Sequence, residues 1–196
     1  MIKAVIFDLS EVFLRGLYGT HKLVADKLGT PQDDESFFVP EMSELFHAKI
    51  TEEQYWQAVI KQQKWDIKVD ELKNLVRSNF GEIAGTRSII EKLKQKGYKM
   101  GLLSIHAKEW IDYCEQKFDY HKLFDTTVYS FDIGISKPDN RAYLHILEKL
   151  NVKPQEAVFI DDSTVNVAAA GKLGMKAIVF KTPAKLEKDL KLIGAL

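Results

Sequence analysis

Cysteine is nearly absent from this 196-residue chain. Cys114 stands alone, so no internal disulfide can form, and a reducing, cytoplasmic setting is expected. Long apolar runs are missing too: none approaches the roughly 18 residues a membrane-spanning helix needs, and no membrane association is expected. Met1-Ile2-Lys3 leads directly into strand-like sequence, so a signal-peptide layout is not expected either. Net charge is lacking, with 28 Lys/Arg against 28 Asp/Glu, which gives no overall pull toward nucleic acid. Internal repeats and low-complexity stretches are not found.

What remains is an ordinary globular composition, 45% hydrophobic and 29% charged, long enough for one domain with an insertion or for two small ones. Charge is unevenly spread. Residues 16–84 hold 8 Lys/Arg and 12 Asp/Glu, whereas the rest holds 20 and 16. Residues 3–8 read as a buried strand, apolar through Phe7 and ending in Asp8. From about Gly16 to Ala84 the pattern is helical. Helices are expected over Thr20–Leu28, Glu41–Ala48 and Asp70–Phe80, with a polar loop at 32–35 and a capping box, Thr51-Glu52-Glu53-Gln54, opening another helix. Strand–helix alternation resumes at Gly85. Strands are expected at Tyr98–Ser104, Thr126–Ser130, Ala157–Ile160 and Met175–Phe180. Helices are expected from Thr86 as cap, over Ala107–Lys117, from Lys137-Pro138 to Leu150, over Thr164–Leu173 and over Lys185–Ile193. This alternation implies an α/β fold with a Rossmann-like parallel sheet. The expected division is a core of residues 1–15 and 85–196 with an inserted helical cap at 16–84.

Polar residues fall where the apolar strands end. Asp8, Ser104 and the pair Asp161-Asp162 each close a strand, and Lys137 sits in the Gly134–Pro138 loop. All carboxyl ends of a parallel sheet lie on one edge, so these groups can converge. Each alone has a plainer reading as a helix cap, a turn residue or a solvated lysine. Together they make three carboxylates, one hydroxyl and one ammonium. Crowded carboxylates need a cation, and hard oxygen donors suit Mg2+. A lysine, a hydroxyl and backbone amides suit a phosphate.

This ordered set resembles the haloacid dehalogenase superfamily, whose members are mostly Mg2+-dependent phosphatases. The first motif is matched by Asp8-Leu9-Ser10 except at its second acid, the others by Ser104, Lys137-Pro138 and Asp161-Asp162. The cap segment Ile-Thr-Glu-Glu-x-Tyr-Trp, Gly-Ile-Ser-Lys-Pro and Asp-Asp-Ser-x-x-Asn resemble the group of sugar-1-phosphate phosphatases and epoxide hydrolase amino-terminal domains. The resemblance implies that Asp8 attacks phosphorus to form an aspartyl phosphate. It implies Mg2+ on Asp8, the Ser10 carbonyl and Asp162, with Asp161 acting through water. Ser104 and the amides that follow, beginning with Ile105, would hold phosphate oxygens, and Lys137 would neutralise charge. A small phosphomonoester is the implied substrate, and a monomer or homodimer the expected state.

Ser10 stands where the family's general acid/base aspartate belongs. Such help is typically worth about 10²–10⁴-fold, so a slow or selective enzyme is expected. Glu11 would point away if the chain stayed extended. Two alternatives follow: a catalytically impaired phospho-ligand binding protein, which Ser10 favours, and a metal-free 2-haloacid dehalogenase, which the acidic pair disfavours. Arg15, His21, His47, Trp56 and His106 can also reach substrate, or can be plain packing and loop residues.

Overall fold

The computed structural model describes residues 1–33 and 35–196; Asp34, in the expected polar loop, lies outside the described residues. The chain opens with β1 (Ala4–Phe7), then β2 (Leu14–Arg15) and four helices, α1 (Thr20–Leu28), α2 (Glu41–Phe46), α3 (Glu52–Gln63) and α4 (Val69–Asn79). After β3 (Gly81–Glu82) come α5 (Thr86–Gln95), β4 (Lys99–Ser104), α6 (Lys108–Phe118), β5 (Thr126–Tyr129), α7 (Ser130–Ile133) and α8 (Asn140–Leu150). The chain closes with β6 (Ala157–Asp161), α9 (Thr164–Lys172), β7 (Lys176–Val179) and α10 (Pro183–Leu192).

Five strands form a parallel sheet in the order β5-β4-β1-β6-β7. The chain builds one side of β1 first and then crosses to the other, so the strand order reverses at β1. Open α/β sheets form their ligand crevice at such a switch point. All four residues of β1 are buried, as a strand covered on both faces requires. Val5 and Phe7 join one apolar cluster with Met100, Leu102, Val158 and Ile160, while Ala4 and Ile6 join the other with Leu103 and Phe159. That split is the two-residue period of a strand. On the second face α8 lies so close that a Cβ on Gly101 would sit 2.9 Å from Leu150 Cδ1, which explains the glycine.

The inserted helices share the first cluster: Val24, Leu45, Trp56 and Leu72, one from each, belong to the same apolar mass as β1. The insert leaves and returns through one point, because β2 and β3 pair antiparallel, Leu14 with Glu82 and Arg15 with Gly81. A strand of two residues carries no readable alternation, which is why Gly81–Glu82 passes unread and residues 16–84 read as purely helical. The Thr51 capping box forms as expected, with Gln54 N donating to Thr51 Oγ1 and the Thr51 amide donating to Gln54 Oε1.

Three local expectations are corrected. Thr86 is not a cap: Gly85 holds that position at φ 103°, and the Thr86 hydroxyl donates to the Val12 carbonyl instead. Lys137-Pro138 do not open a helix; α8 starts at Asn140, capped by Asp139, whose carboxylate accepts the Arg141 amide. Ser130 begins a helical turn rather than ending β5, because Gly134 stops that turn four residues on.

Candidate active site

The polar strand ends do meet. The Asp8 amide donates to the Ile160 carbonyl at 2.8 Å, extending the β1–β6 ladder by one residue and aiming the side chain over the sheet edge. Lys137 Nζ lies 2.8 Å from Asp8 Oδ1 and 2.7 Å from Asp161 Oδ2, with its side chain only 2% exposed. Asp161 is held from behind as well: Oδ1 accepts the Ser163 amide at 2.8 Å, and both oxygens lie 3.1 Å from Asn166 Nδ2. Asp8, Asp161 and Asp162 each offer an oxygen within 4.8 Å of the other two.

Three carboxylates therefore share one ammonium in a buried site. Burial raises the Asp8 pKa, Lys137 opposes the rise, and the Asp161 charge adds to it; the net push is up to about 7. Burial, then Asp161, also raises Asp162. Burial works against the charge of Lys137, but Asp8 and Asp161 more than offset it and hold its pKa above the ordinary lysine value. The arrangement is short of positive charge. Its donors are hard oxygens, so the residues present fit a divalent cation such as Mg2+.

Ser104 ends β4 opposite Tyr129, buried, and its hydroxyl has no hydrogen-bond partner among the described residues. A buried orphan hydroxyl is costly unless something fills the space beside it. The amide of His106 is spent on Ser130 Oγ at 3.2 Å, and the Ala107 amide donates to His106 Nδ1. Of the amides expected to hold an anion, the one nearest Ser104 that remains is that of Ile105.

Ser10 and Asp162 open onto a cavity of about 310 Å³ beneath the inserted helices, and Ile105 lines it too. Glu11 corrects an expectation. The chain turns sharply after Asp8, with three amides from Val12 to Leu14 pointing at the Leu9 carbonyl and Glu11 at φ 57°. The chain is not extended, and Glu11 shares the cavity with Ser10, its carboxylate accepting the Gly16 amide at 2.8 Å. Burial first, then Asp162, raises its pKa, with the Gly16 amide opposing. Gly16 lets the chain pass close to both residues, since a Cβ there would lie 3.1 Å from Ser10 Oγ and 3.7 Å from Glu11 Oε1.

Other residues singled out as reaching substrate are placed elsewhere. Trp56 is fully buried and donates its indole N–H to Glu52. His47 bridges the Ser43 carbonyl and Ser136 Oγ. Arg15 is exposed on β2, and His21 lines a separate cleft of about 880 Å³ against Lys27 and Glu71, which none of the converging residues touches. His106 does line the cavity beside Ser10, with its ring perpendicular to Trp110 at 5.6 Å.

A family model for haloacid dehalogenase-like hydrolases matches residues 18–180. The chain belongs to this family. The match begins after Asp8 and Ser10, so those two residues rest on geometry. Among similar proteins of the family's kind, flavin mononucleotide hydrolase 1 of Arabidopsis thaliana is 28% identical over 129 residues, 66% of this chain and 52% of that protein. A phosphorylated carbohydrates phosphatase of Thermotoga maritima is 28% identical over 191 residues, covering 90% of this chain and 84% of that one. The chain thus spans about half of the Arabidopsis relative but most of the Thermotoga one. A haloacid dehalogenase-family enzyme of Bacteroides thetaiotaomicron, solved with magnesium and inorganic phosphate, superposes with a TM-score of 0.77 at 21% identity. It covers 93% of this chain and 96% of its own, and at that identity it shows the shared fold. None of the helices of the described residues is long and apolar enough to cross a membrane.

Proposed function

We propose that this hydrolase is a Mg2+-dependent phosphatase for small phosphomonoesters, with residues 1–15 and 85–196 as its catalytic core and residues 16–84 as a helical cap. The convergence of Asp8, Lys137 and Asp161-Asp162 at the switch point of the sheet, beside the β4 strand that ends in the orphan Ser104 hydroxyl, carries the reading. Likeness to the Thermotoga phosphatase over most of the chain supports it.

An Asp8 oxygen attacks phosphorus, the bond from phosphorus to the leaving alcohol breaks, and an aspartyl phosphate forms. Water then attacks the phosphoryl group, releasing inorganic phosphate and restoring the Asp8 carboxylate. Lys137 opposes the burial that raises the Asp8 pKa, and so favours the ionised carboxylate, and it offsets the charge of the transferring group. The orphan Ser104 hydroxyl and the Ile105 amide would hold phosphoryl oxygens. Asp8, Asp162 and the Ser10 carbonyl would hold Mg2+, which when bound neutralises charge on the phosphoryl group. Asp161, already engaged by Lys137, Ser163 and Asn166, would act from outside that set. Ser10 cannot protonate the leaving oxygen as a carboxylic acid would, which predicts slow turnover of poor leaving groups.

The deciding experiment is phosphate release from a panel of phosphomonoesters with and without Mg2+. Release that needs Mg2+ and vanishes in Asp8→Asn is expected, and Ser10→Asp should raise it. Release that persists in Asp8→Asn would sink the nucleophile assignment. Ser10 also favours a second reading, a phospho-ligand binding protein without turnover; ligand binding under excess Mg2+ with no release would establish it.

A further inference from the structure

The cavity above Ser10 and Asp162 has a wall that no phosphate chemistry requires. Leu17, Phe38, Met42, Phe46, Ile105 and Trp110 line it. Phe46 and Trp110 meet edge to face at 6.1 Å. At its mouth stand Tyr18 and Phe38, 66% and 59% exposed, which carry the apolar wall out to solvent as one continuous patch. Leu17, Phe38, Met42 and Phe46 bring the insert's share of the wall against Ile105 and Trp110 of the core, and that share is anchored over the sheet edge, because Ser130 Oγ donates to the Phe46 carbonyl and His47 reaches Ser136.

The charges are equally telling. The ionisable carboxylates here are Glu11 and Asp162, and among the described residues no lysine or arginine lines the cavity. Lys137 lies deeper, locked between Asp8 and Asp161. A leaving group bearing a second phosphate or a carboxylate would face the Glu11 carboxylate with no side-chain cation of the cavity to pair it, since Asp162 would already be spent on the metal. A polyhydroxylated one could reach the Ser10, Tyr18 and Ser163 side chains and the Glu11 carboxylate, but the rest of it would lie against the apolar wall. Hydroxyls laid there lose water without gaining a partner, which opposes binding.

Resting on the phosphatase reading, we infer that the leaving group of the substrate is an uncharged, predominantly aromatic or aliphatic alcohol rather than a sugar or a hydroxy acid. This extends the function from the breaking of a phosphate ester to the kind of alcohol released.

The test compares primary phosphomonoesters of similar leaving-group basicity: 2-(1-naphthyl)ethyl phosphate, glucose 6-phosphate and 2-phosphoglycolate, with Mg2+ and the full chain. We expect kcat/KM for the naphthyl ester to exceed the other two by at least about tenfold, mainly through KM. Phe38 is exposed, so Phe38→Ser should fold, and it should shrink the naphthyl-to-glucose ratio by about threefold or more. Glucose 6-phosphate or 2-phosphoglycolate turned over as well as the naphthyl ester would overturn the inference, as would a ratio unmoved by Phe38→Ser. If no ester is hydrolysed, the phosphatase reading fails. Calorimetric binding of 2-(1-naphthyl)ethylphosphonate against the phosphonate isostere of glucose 6-phosphate then decides this inference alone. Tighter binding of the naphthyl compound supports it, and equal or weaker binding refutes it.

Discussion

Two buried carboxylates, Glu52 and Asp8, sit in different regions under opposite arrangements. Glu52 opens α3 where the insert meets the sheet layer. Its Oε1 accepts the indole N–H of Trp56 at 3.1 Å and of Trp110 at 2.8 Å, and its Oε2 pairs with Arg77. Three donors on three helices satisfy it, and it fastens α3, α4 and α6 together. Asp8 has one cation, Lys137, which it shares with Asp161, and a third carboxylate stands nearby. A satisfied buried charge is a fastener. An under-compensated one leaves a local excess of negative charge, which suits a cation.

The sharpest break in this comparison comes from paired neutralisations. Asp8→Asn should lower phosphate release by at least about 10³-fold, while its melting temperature holds or rises because a like-charge repulsion is relieved. Glu52→Gln should do the reverse in stability. It leaves Arg77 without its counter-ion and costs about 3 kcal/mol in urea unfolding. A Glu52→Gln protein as stable as the parent would mean that the network is not a fastener. Next in size, saturating Mg2+ should stabilise the folded chain by about 2–3 kcal/mol at a hundredfold excess over its dissociation constant, read as a shift in thermal midpoint. Asp162→Asn should abolish most of that shift.

The smallest effect tests His106. Burial pushes its pKa down to about 4 from an unfolded value near 6.5. The unfolded chain then binds the extra proton between these values, so this residue's contribution is full above pH 6.5 and is lost as pH falls toward 4. Asp8, pushed up to about 7, contributes with the opposite sign over part of that range, so the difference between parent and His106→Gln isolates the histidine. The parent should lose about 2 kcal/mol more than His106→Gln between pH 7 and pH 5. Parallel curves would show that His106 is not buried neutral.

Much of this molecule was legible in the chain. Ala4–Phe7 announces a doubly buried strand, Thr51–Gln54 its helix, and Leu186 and Leu190 the closing amphipathic helix, because local periodicity and capping are short-range physics. The parallel sheet made the convergence of Asp8, Ser104, Lys137 and Asp161-Asp162 expected before any coordinate, since one sheet edge collects every strand's carboxyl end. Other features have no local signature. The β2–β3 pairing rests on two residues from each of two segments some seventy positions apart. Glu11 reaches the cavity only because the turn after Asp8 places it at positive φ, which a glutamate does not advertise. Phe46 and Trp110 read as ordinary apolar residues of helical segments and Phe38 as one between helices, and only the packing of α2 and the segment before it over α6 makes them a wall beside Ser10. The sequence by itself determined that Asp8, Ser104 and Asp161 gather at one sheet edge, because they close strands whose direction follows from alternation. The tertiary structure alone decided which side chains wall the cavity beside Ser10, because that wall is assembled from residues whose neighbours are set by packing rather than by spacing.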